Sequence, residues 1–370
     1  MQPPRIIISG GGTGGHIFPA IAIANALKEK CNGNVEILFV GAEGRMEMEK
    51  VPAAGYPIEG LWISGLQRKL TLKNLSFPFK VISSLLKAKR IMKKFKPDAA
   101  VGTGGYASGP MLRVASNAGI PTLIQEQNSY PGITNRILSK KVDKICVAYE
   151  GMDRFFPKSK IILTGNPVRQ DILKLDGKKA RAAEFFGLDP FKKTILVIGG
   201  SLGARTLNET LLQGFVEMEK KGMQLIWQTG KTFFNQAADQ VKLQASGGIK
   251  VFDFISKMDY AYVMADVVVS RAGASSVSEL CLVKKASILV PSPNVAEDHQ
   301  TKNAMALVNH EAALLIKDEE AMNTLVAQAI ALANDEVQKK KLEANISKLA
   351  YADSALVIAN EIMNLINNRK

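Results

Sequence analysis

Three glycine-rich loops, each placed directly after an apolar run typical of a buried strand, constrain the fold of this chain most. They are Ser9–His16 (SGGGTGGH), Gly102–Gly109 (GTGGYASG) and Gly199–Ala204 (GGSLGA). Glycine has no Cβ, so such a loop lets a phosphate or sugar approach backbone N–H groups, and the helix that follows adds the positive end of its dipole. Three loops divided between the two halves of the chain predict two nucleotide-type α/β units facing one cleft.

Strand-like and helical runs alternate along the chain, which predicts doubly wound parallel sheets. The expected strands are Arg5–Ser9, Val35–Val40, Ala99–Val101, Pro121–Ile124, Lys144–Ala148, Thr194–Ile198, Gln224–Gln228, Lys250–Phe252, Val267–Ser270, Ile288–Val290 and Ala313–Ile316. Helices are expected between most of them, such as Pro19–Lys30, Ala204–Lys221 and Ser276–Val283. The tail from Glu319 to Lys370 is expected to be wholly helical.

The chain is long enough for two domains, because 370 residues that are 46% hydrophobic can bury two cores. A turn at Gly165–Val168 and the charged stretch after it suggest the boundary. We therefore expect a first Rossmann-like domain over residues 1–164 and a second over residues 165–350. A C-terminal helix over residues 351–370 is expected to cross back and brace the first domain.

Several classes of protein are excluded by composition. No apolar run reaches the roughly 18 residues that span a bilayer. The apolar run Ile6–Ile8 is followed almost directly by glycines, which excludes a signal peptide. A cytosolic protein is therefore expected. Cys31, Cys146 and Cys281 lie far apart, without a C-x-x-C pair, so we expect buried thiols rather than disulfides or a zinc site. The chain has no Asp-x-Asp pair to clamp a metal, and no cofactor is expected.

The charge favours anionic partners, because 48 Lys plus Arg against 34 Asp plus Glu give a net charge of +14. Ten basic residues and no acid lie between Arg68 and Lys96, interleaved with large apolar residues. This mixture is typical of a membrane-surface patch, whereas a nucleic-acid groove would need stacking aromatic residues, so no nucleic acid is expected.

Two interpretations divide this basic segment at Pro78. After it, Leu85, Ala88, Met92 and Phe95 follow helical spacing, which predicts a helix that packs on the sheet with its lysines solvated. Before it, Leu70 to Phe79 lacks clean periodicity, so exposure and contact with an anionic membrane surface are expected there. The residues predicted for this contact are Leu75, Phe77, Phe79, Lys73 and Lys80.

The first loop fits the dinucleotide fingerprint G-x-G-x-x-G through Gly10, Gly12 and Gly15. In such proteins an acidic residue normally follows at the end of the second strand. Here it could only be Glu43, which lies later in the sequence than that position. His16 sits at the start of the next helix, with Pro19 expected in its first turn. Because the helix dipole disfavours an imidazolium there, His16 is expected to stay neutral and to accept a proton.

In the second half, two helix N-termini are suited to a diphosphate. One follows Gly199–Ala204, where Ser201 could bond a phosphate oxygen, and the other follows the strand Val267–Ser270. Glu279 is expected in the first turn of the latter helix, where it has two interpretations. It could accept hydrogen bonds from a ribose diol, or Ser276-x-x-Glu279 could be a capping box, and residue patterns alone leave both open.

An ordered set of motifs resembles the MurG family of bacterial glycosyltransferases. The motifs are GGGTGGHIFPAIAIA, GTGGYASGP, EQNSYPGITNR, GNPVR, GGSLGARTLN, SRAGASSVSEL and EDHQTKNA. The resemblance implies a GT-B fold and inverting transfer of N-acetylglucosamine (GlcNAc) from UDP-GlcNAc to undecaprenyl-pyrophosphoryl-MurNAc-pentapeptide, in peptidoglycan synthesis. It also implies a peripheral protein on the cytoplasmic face of the plasma membrane, with the lipid acceptor on the first domain and the donor mainly on the second.

The resemblance further implies site residues at matching positions. His16 would be the catalytic base. Residues expected to bind the donor are Thr13, Gly14, Gly15, Asn128, Arg169, Ser201, Ile255, Ala274, Ser275, Ser276, Val277, Ser278, Glu279 and Gln300. Residues expected to bind the acceptor are Gly104, Gly105 and Tyr106. Among these, Arg169 would face the diphosphate, Ile255 would meet uracil through its backbone, and Glu279 would hold the ribose.

Two positions depart from the family pattern. Gln125 stands where family members often carry His, and Leu202 stands where Gln is common. The first departure leaves His16 as the better candidate base. The alternatives are another GT-B transferase acting on a lipid such as diacylglycerol, a non-catalytic sugar-nucleotide sensor, and an NAD-dependent dehydrogenase.

Overall fold

The computed structural model describes residues 2–65, 76–200, 203–295 and 298–369, which form two compact units. Unit 1 comprises Met1–Val168 and Asp353–Lys370, and unit 2 comprises Arg169–Ala352. Each unit is built around one parallel sheet with helices between successive strands. The prediction of two doubly wound Rossmann-like units with a helical C-terminal end is confirmed.

Unit 1 contains a seven-stranded sheet. Its strands are β1 (Arg5–Gly10), β2 (Glu36–Ala42), β3 (Ile58–Leu61), β4 (Ala99–Gly104), β5 (Thr122–Glu126), β6 (Lys144–Val147) and β7 (Ile161–Leu163). The helices along this part of the chain are α1 (Gly14–Lys30), α2 (Glu47–Ala53), α3 (Phe77–Phe95), α4 (Ser108–Asn117) and α5 (Ile133–Leu138). The strand order is β3-β2-β1-β4-β5-β6-β7. The order reverses between β1 and β4, and ligands of such sheets bind at the carboxyl ends of the strands at this switch point.

Unit 2 repeats the arrangement with six strands. They are β8 (Thr194–Ile198), β9 (Gln224–Gln228), β10 (Ile249–Phe252), β11 (Val267–Ser270), β12 (Ser287–Leu289) and β13 (Leu314–Leu315). The helices are α6 (Lys179–Phe186), α7 (Arg205–Lys220), α8 (Lys231–Gln244), α9 (Met258–Met264), α10 (Ala274–Val283), α11 (His299–Val308), α12 (Ala321–Asn334) and α13 (Glu336–Ser347). The order β10-β9-β8-β11-β12-β13 puts the switch point between β8 and β11.

The strand predictions fail at the edges of the first sheet. Three strands of unit 2, β8, β9 and β11, have the predicted bounds, whereas β3 and β7 were not predicted at all. Both missed strands are the outermost members of their sheet. Edge strands are short and only partly covered, so they lack the long apolar run by which a central parallel strand is recognised.

The core lies on both faces of each sheet, as a parallel sheet requires. In β1, Ile6, Ile7 and Ile8 are all fully buried. Ile6 and Ile8 pack in the hydrophobic cluster on one face, and Ile7 packs in the cluster on the other. Successive strand side chains point to opposite faces, so an unbroken apolar run is what a strand covered on both sides needs.

The last helix, α14 (Ser354–Asn367), belongs to unit 1. Its buried residues Ile358, Ile362 and Ile366 follow helical spacing and join the cluster that contains Ile6 and Ile8. The C-terminal segment therefore supplies part of the core of the first unit, although it lies more than 300 positions along the chain from β1.

The three cysteines are free thiols. Cys146 and Cys281 are buried, and burial raises the pKa of each to about 12. Cys31 follows the last turn of α1 and is only partly buried, so the expectation of a buried thiol is wrong for this residue. The end of a helix is less completely covered than strand β6, which carries Cys146, or the interior of helix α10, which carries Cys281, and this explains the difference.

We expect Ile362→Ala to destabilise unit 1 by about 2–5 kcal/mol, because it opens a cavity in a packed core. Hydrogen-exchange mass spectrometry should show lower protection in peptides of unit 1 and unchanged protection in peptides of unit 2. The matched control is Asn364→Ala, on the exposed face of the same helix, which should change neither. Equal protection in the two variants would contradict the assignment of α14 to this core.

Candidate active site

The first glycine loop crosses the carboxyl end of β1 and leads into α1. That helix begins at Gly14 rather than at the predicted Pro19, so His16 lies in its first turn and Pro19 lies in the second, not in the first. The N-cap residue is Thr13, whose carbonyl accepts a hydrogen bond from the N–H of His16 at 3.1 Å. The helix N-terminus and the imidazole therefore share one end of the sheet, as the motif predicted.

A buried carboxylate that sequence reasoning missed holds this loop. Glu47 is 0% exposed, and its Oε2 accepts from the N–H of Gly12 at 2.8 Å while its Oε1 accepts from the N–H of Ala42 at 3.0 Å. A Cβ on Gly11 would lie 2.0 Å from Oε1, which explains the glycine there. The acid considered for a dinucleotide site, Glu43, instead pairs with Lys87 at 2.9 Å on the exposed surface.

The second glycine loop follows β4 and packs directly on the first. The N–H of Gly11 donates to the carbonyl of Gly104 at 3.3 Å. Gly105 has a φ of +85°, and a Cβ there would lie 2.3 Å from the carbonyl oxygen of Gly11. Tyr106, next along the loop, is 47% exposed. The residues predicted to bind the acceptor thus lie beside the first loop, at the switch point of unit 1.

His16 is anchored from two sides. Its Nδ1 lies 2.9 Å from Oε1 of Gln127, and Thr103 Oγ1 donates to its backbone carbonyl at 2.9 Å. Gly104 provides the space, because a Cβ on it would come within 2.8 Å of the imidazole ring. Sequence reasoning chose His16 but missed Gln127, whose only signal was its place in the same EQN motif as Asn128.

Glu126 of that motif is a scaffold for the loop after β5. It is buried, and its carboxylate accepts from the N–H of Asn128 at 3.0 Å, the N–H of Gly132 at 3.2 Å and Asn135 Nδ2 at 2.8 Å. Burial raises the pKa of Glu126, and the bonds from Asn128 and Asn135 oppose that rise by favouring the ionised form. The side-chain amide of Asn128 also donates to Glu126, at 3.3 Å.

In unit 2, the third glycine loop follows β8 at the second switch point. Gly203 has a φ of +80°, and a Cβ there would lie 2.0 Å from the carbonyl oxygen of Thr229. The carbonyl of Gly200 accepts from Gln228 Nε2 at 3.0 Å. The loop is thus pressed against the end of β9. Ser201, predicted to bond a phosphate, and Leu202 lie outside the described residues.

Across the same switch point, α10 begins directly after β11. Its first residues Ala274, Ser275 and Ser276 present backbone N–H groups that a helix cannot satisfy internally. Among the described side chains, Ser275 Oγ is one of the few buried polar atoms without a hydrogen-bond partner. Unpaired donors at a helix N-terminus, together with a buried hydroxyl, form a site suited to an anion.

The structure rules out one of the two interpretations of Glu279. The N-cap of α10 is Gly273, so Ser276 is the third residue of the helix and the capping-box interpretation is wrong. Glu279 lies in the second turn and not in the first. A helix that begins two residues before the predicted Ser276 moves the carboxylate away from the N–H groups at its end.

Glu279 instead forms the centre of a buried polar cluster with Arg169 and Tyr262. Arg169 Nε donates to Oε1 at 3.1 Å, and the hydroxyl of Tyr262 donates to Oε2 at 2.8 Å. Burial raises the pKa of Glu279, while the charge of Arg169 and the bond from Tyr262 oppose the rise. Burial, and then the charge of Glu279, raise the pKa of Tyr262 well above its ordinary value.

Two further predicted donor residues are already engaged within unit 2. The N–H of Ile255 donates to Gln228 Oε1 at 3.1 Å, so a nucleobase would have to use its carbonyl oxygen. Gln300 lies near the start of α11, and its Oε1 accepts from the N–H of Ser292 at 2.9 Å. That bond leaves the amide nitrogen of Gln300 as the donor for a ligand.

Comparisons with known proteins agree with this arrangement. The Glycosyltransferase family 28 N-terminal domain matches residues 6–147, and the Glycosyltransferase family 28 C-terminal domain matches residues 194–359. The chain belongs to glycosyltransferase family 28. The prediction of a glycosyltransferase is therefore confirmed, and it is favoured over the dehydrogenase and the non-catalytic sensor.

Relatives with assigned names extend over nearly the whole chain. A protein of Phocaeicola vulgatus is 59% identical over 365 residues, with 98% of this chain and 96% of the relative covered. A protein of Flavobacterium psychrophilum is 53% identical over 370 residues, with both chains fully covered. Both are named UDP-N-acetylglucosamine–N-acetylmuramyl-(pentapeptide) pyrophosphoryl-undecaprenol N-acetylglucosamine transferase.

A solved structure has the same fold. The crystal structure of Acinetobacter baumannii MurG superposes with a TM-score of 0.77 at 28% identity, covering 98% of this chain and all of that one. The family resemblance inferred from the motifs is confirmed by this match and by the named relatives.

The exposed face of α3 carries a mixed apolar and basic surface, which we call the α3 surface. Phe79, Ile82 and Leu86 follow helical spacing and are 70%, 56% and 53% exposed. Arg90 and Lys93 continue the same stripe and are exposed. The opposite face packs in the core as predicted, with Ala88 and Met92 buried and Leu85 and Phe95 partly buried.

The earlier division of this segment was too simple, because the exposed apolar residues continue beyond Pro78 into the helix. Of the predicted membrane residues, Phe79 is exposed, Phe77 is half-buried, and Lys80 bonds Ser64 Oγ at 2.9 Å. Leu75 and Lys73 lie outside the described residues.

The described residues contain neither a cluster suited to a metal ion nor a helix suited to crossing a membrane. Within them, no three His, Cys, Asp or Glu side chains gather as they would around a metal ion. No helix in the described part is both long and apolar enough to cross a bilayer.

We expect Tyr262→Phe to lower the free energy of unfolding of unit 2 by about 1–3 kcal/mol near neutral pH, because a buried carboxylate loses a hydrogen bond. The bond favours the ionised form of Glu279. As pH falls through the raised pKa of Glu279 in the folded state, the carboxyl becomes protonated, so the difference from the parent protein should shrink in acid. Urea unfolding of both proteins at a series of pH values measures this difference in the free energy of unfolding.

The matched control is Tyr260→Phe. Tyr260 lies on the same helix but packs edge-on against Phe185 at a centroid distance of 5.6 Å. Its variant should show no such dependence on pH. A constant difference across the pH range for Tyr262→Phe would contradict an ionised Glu279 in the folded protein.

Proposed function

We propose that this transferase moves GlcNAc from UDP-GlcNAc to undecaprenyl-pyrophosphoryl-MurNAc-pentapeptide (lipid I), and so forms the lipid-linked disaccharide precursor (lipid II) of peptidoglycan. The observation that carries the proposal is identity of 53–59% to relatives named for this transfer, over nearly the full chain. The chemistry of both switch points is consistent with it. Unit 1 is assigned the lipid acceptor, and unit 2 the nucleotide donor.

The Arg169–Glu279–Tyr262 cluster supports binding of the nucleotide. An ionised carboxylate has about four acceptor positions, so Glu279 can take ribose hydroxyls in addition to its two present donors. Arg169 uses Nε toward Glu279, which leaves the other end of its planar guanidinium to pair with a diphosphate. The pair would thus join ribose recognition to phosphate recognition.

The N-terminus of α10 supports binding of the departing diphosphate. Its unpaired N–H groups and the buried hydroxyl of Ser275 are donors that cost no reorganisation when negative charge develops. Ala274, Ser275, Ser276, Val277 and Ser278 are assigned to this site, with Ser201, the carbonyl of Ile255 and Gln300 completing the donor set. Thr13, Gly14, Gly15 and Asn128 of unit 1 are assigned to the donor as well.

The reaction is an in-line displacement with inversion. The acceptor hydroxyl attacks the anomeric carbon of GlcNAc, the bond from that carbon to the β-phosphate oxygen breaks, and UDP leaves with the electron pair. His16 takes the hydroxyl proton. Gly104, Gly105 and Tyr106, packed beside the first loop, are assigned to the acceptor and its pyrophosphate.

A transfer assay with radiolabelled UDP-GlcNAc tests this proposal. Label should enter the lipid fraction with the muramyl-pentapeptide lipid and not with diacylglycerol. Transfer to diacylglycerol alone would contradict the proposed acceptor and favour the alternative transferase that acts on diacylglycerol.

In the same assay, His16→Ala should lower kcat at saturating acceptor by about 10²- to 10⁴-fold, which is the usual contribution of a general base. The matched control is His310→Ala, a substitution at an exposed position of unit 2, which should retain parental turnover. Near-normal turnover of His16→Ala would remove the base from this mechanism.

The lipid acceptor also gives the α3 surface a role, namely peripheral contact with the anionic cytoplasmic face of the plasma membrane. Each Lys or Arg near such a surface contributes about 1 kcal/mol, and exposed apolar side chains add to this when they enter the interface. The net charge of +14 acts in the same direction. Nucleic acid is not among the proposed partners.

Replacing Phe79, Ile82 and Leu86 together by Ser should lower partitioning onto anionic liposomes by at least about tenfold, since each apolar side chain contributes on the order of 1 kcal/mol. The matched control replaces Phe191, Leu243 and Val337, apolar residues of unit 2 that are 96%, 77% and 81% exposed. That variant should bind as the parent does. Equal loss in the two variants would show that exposed apolar area in general, and not the α3 surface, decides binding.

A further inference from the structure

Behind His16 lies a chain of three buried side-chain amides, those of Gln127, Gln125 and Asn166. They are 1%, 0% and 3% exposed. Gln125 Nε2 donates to Asn166 Oδ1 at 2.8 Å, and Asn166 Nδ2 donates to the backbone carbonyl of Gln127 at 2.9 Å. The chain of amides thus returns to Gln127, the residue at which it starts. The transfer mechanism above does not involve these bonds.

The orientation of the Gln127 amide follows from its neighbours. Its Nε2 faces the backbone carbonyl of Thr103 at 2.7 Å and that of Gln125 at 3.3 Å, and it also contacts Gln125 Oε1. Carbonyl oxygens only accept hydrogen bonds. Turning the amide over would set its oxygen against these acceptors in a buried place, so the oxygen must face His16.

The orientation of the amide decides which nitrogen of His16 carries the proton. Gln127 Oε1 lies 2.9 Å from Nδ1 and can only accept, so Nδ1 must be the donor. In a neutral imidazole the other nitrogen, Nε2, then has the free lone pair. The close packing of Gly104 on the ring and the bond from Thr103 Oγ1 to the His16 carbonyl keep this geometry.

We propose that Gln127 is a positioning residue that holds neutral His16 in the Nδ1–H tautomer, so that Nε2 is the proton acceptor. This rests on the proposed role of His16 as base. During transfer, the acceptor O–H bond breaks, a bond forms from that oxygen to the anomeric carbon, and UDP departs with the electrons of its bond. The proton goes to Nε2, while Nδ1–H stays bonded to the neutral amide, and His16 later returns the proton to solvent.

An amide differs here from the carboxylate that orients histidine in many hydrolases. It determines the tautomer through a hydrogen bond alone and adds no negative charge beside the ring. A buried carboxylate of the same motif, Glu126, has its oxygens bonded to Asn128, Gly132 and Asn135. These bonds hold the carboxylate in the loop after β5, and the partner of the ring nitrogen Nδ1 is the amide oxygen of Gln127.

The tautomer can be read directly in the full-length protein labelled with ¹⁵N-histidine. The chain has three histidines, and His16 is assigned by the signal that disappears in His16→Ala. Long-range ¹H–¹⁵N correlations at a pH where the ring is neutral distinguish the protonated nitrogen from the unprotonated one. We expect a proton on Nδ1. A proton on Nε2 in the parent protein would overturn the proposal without any variant.

The decisive variant is Gln127→Met, which keeps the length of the side chain but cannot accept from Nδ1. The Nε2–H tautomer should then become populated, and kcat should fall by about 10- to 100-fold, as is usual when a group that orients a functional histidine is lost. KM for UDP-GlcNAc should change by less than about twofold. Retention of both the Nδ1–H tautomer and the parental kcat would refute the role.

The matched control is Gln125→Met, which removes a buried amide of the same chain one step further from the ring. Because Gln127 Nε2 still has the Thr103 carbonyl as acceptor, this variant should keep the Nδ1–H tautomer. Gln127→Asn, which withdraws the amide by one methylene, replaces Gln127→Met if the latter does not fold. Loss of the tautomer in Gln125→Met as well would mean that packing, and not the Gln127 bond, determines it.

These readouts separate the two proposals. If the parent protein transfers no sugar to the lipid acceptor, the proposed function fails, and the spectrum still reports the tautomer. If transfer occurs and His16→Ala is inactive while Gln127→Met matches the parent in tautomer and rate, the proposed function stands and the role of Gln127 fails.

Discussion

The close approach of two glycine loops at the switch point of unit 1 is the constraint on which its site depends. The carbonyl of Gly11 occupies the space that a Cβ on Gly105 would need, and the His16 ring occupies the space beside Gly104. Neither contact is compatible with a larger residue. With β1 and β4 as neighbours in the sheet, their loops must share this space, and the glycines let them do so while the helix end of α1 and the imidazole stay on the same side.

The switch point of unit 2 has a similar backbone arrangement but carries different side chains. It again joins a glycine loop and a helix N-terminus, but a partly buried ion pair takes the place of a histidine. Arg169 and Glu279 satisfy one another, and Tyr262 donates to the remaining carboxylate oxygen. A buried charge is tolerated only when it is paired and hydrogen-bonded, so this cluster is both a structural necessity and a set of groups suited to ribose and phosphate. The proposed assignment of the nucleotide donor to unit 2 and of the lipid acceptor to unit 1 rests on this difference.

Buried polar residues behind the site of unit 1 hold its loops and its histidine in position. Glu47 holds the first glycine loop, Glu126 holds the loop after β5, and Gln127 orients His16. All three are buried, where a polar group must find partners and where the position of each partner is therefore restricted. The partly buried imidazole of His16 gains its direction from such buried neighbours.

The sequence by itself determined the buried central strands and the end of each sheet that carries the glycine loops. Apolar runs such as Ile6–Ile8 specify buried parallel strands, glycines after them specify tight loops, and ordered motifs specify the family. Tertiary structure alone decided which residues meet. His16 and Gln127 are 111 positions apart, and Arg169 and Glu279 are 110 apart. Local patterns contain no information on such pairs, because strand order and the exact start of a helix bring them together. That is why the capping box was an open alternative, and why Glu47, Tyr262 and Gln127 emerged only from the fold.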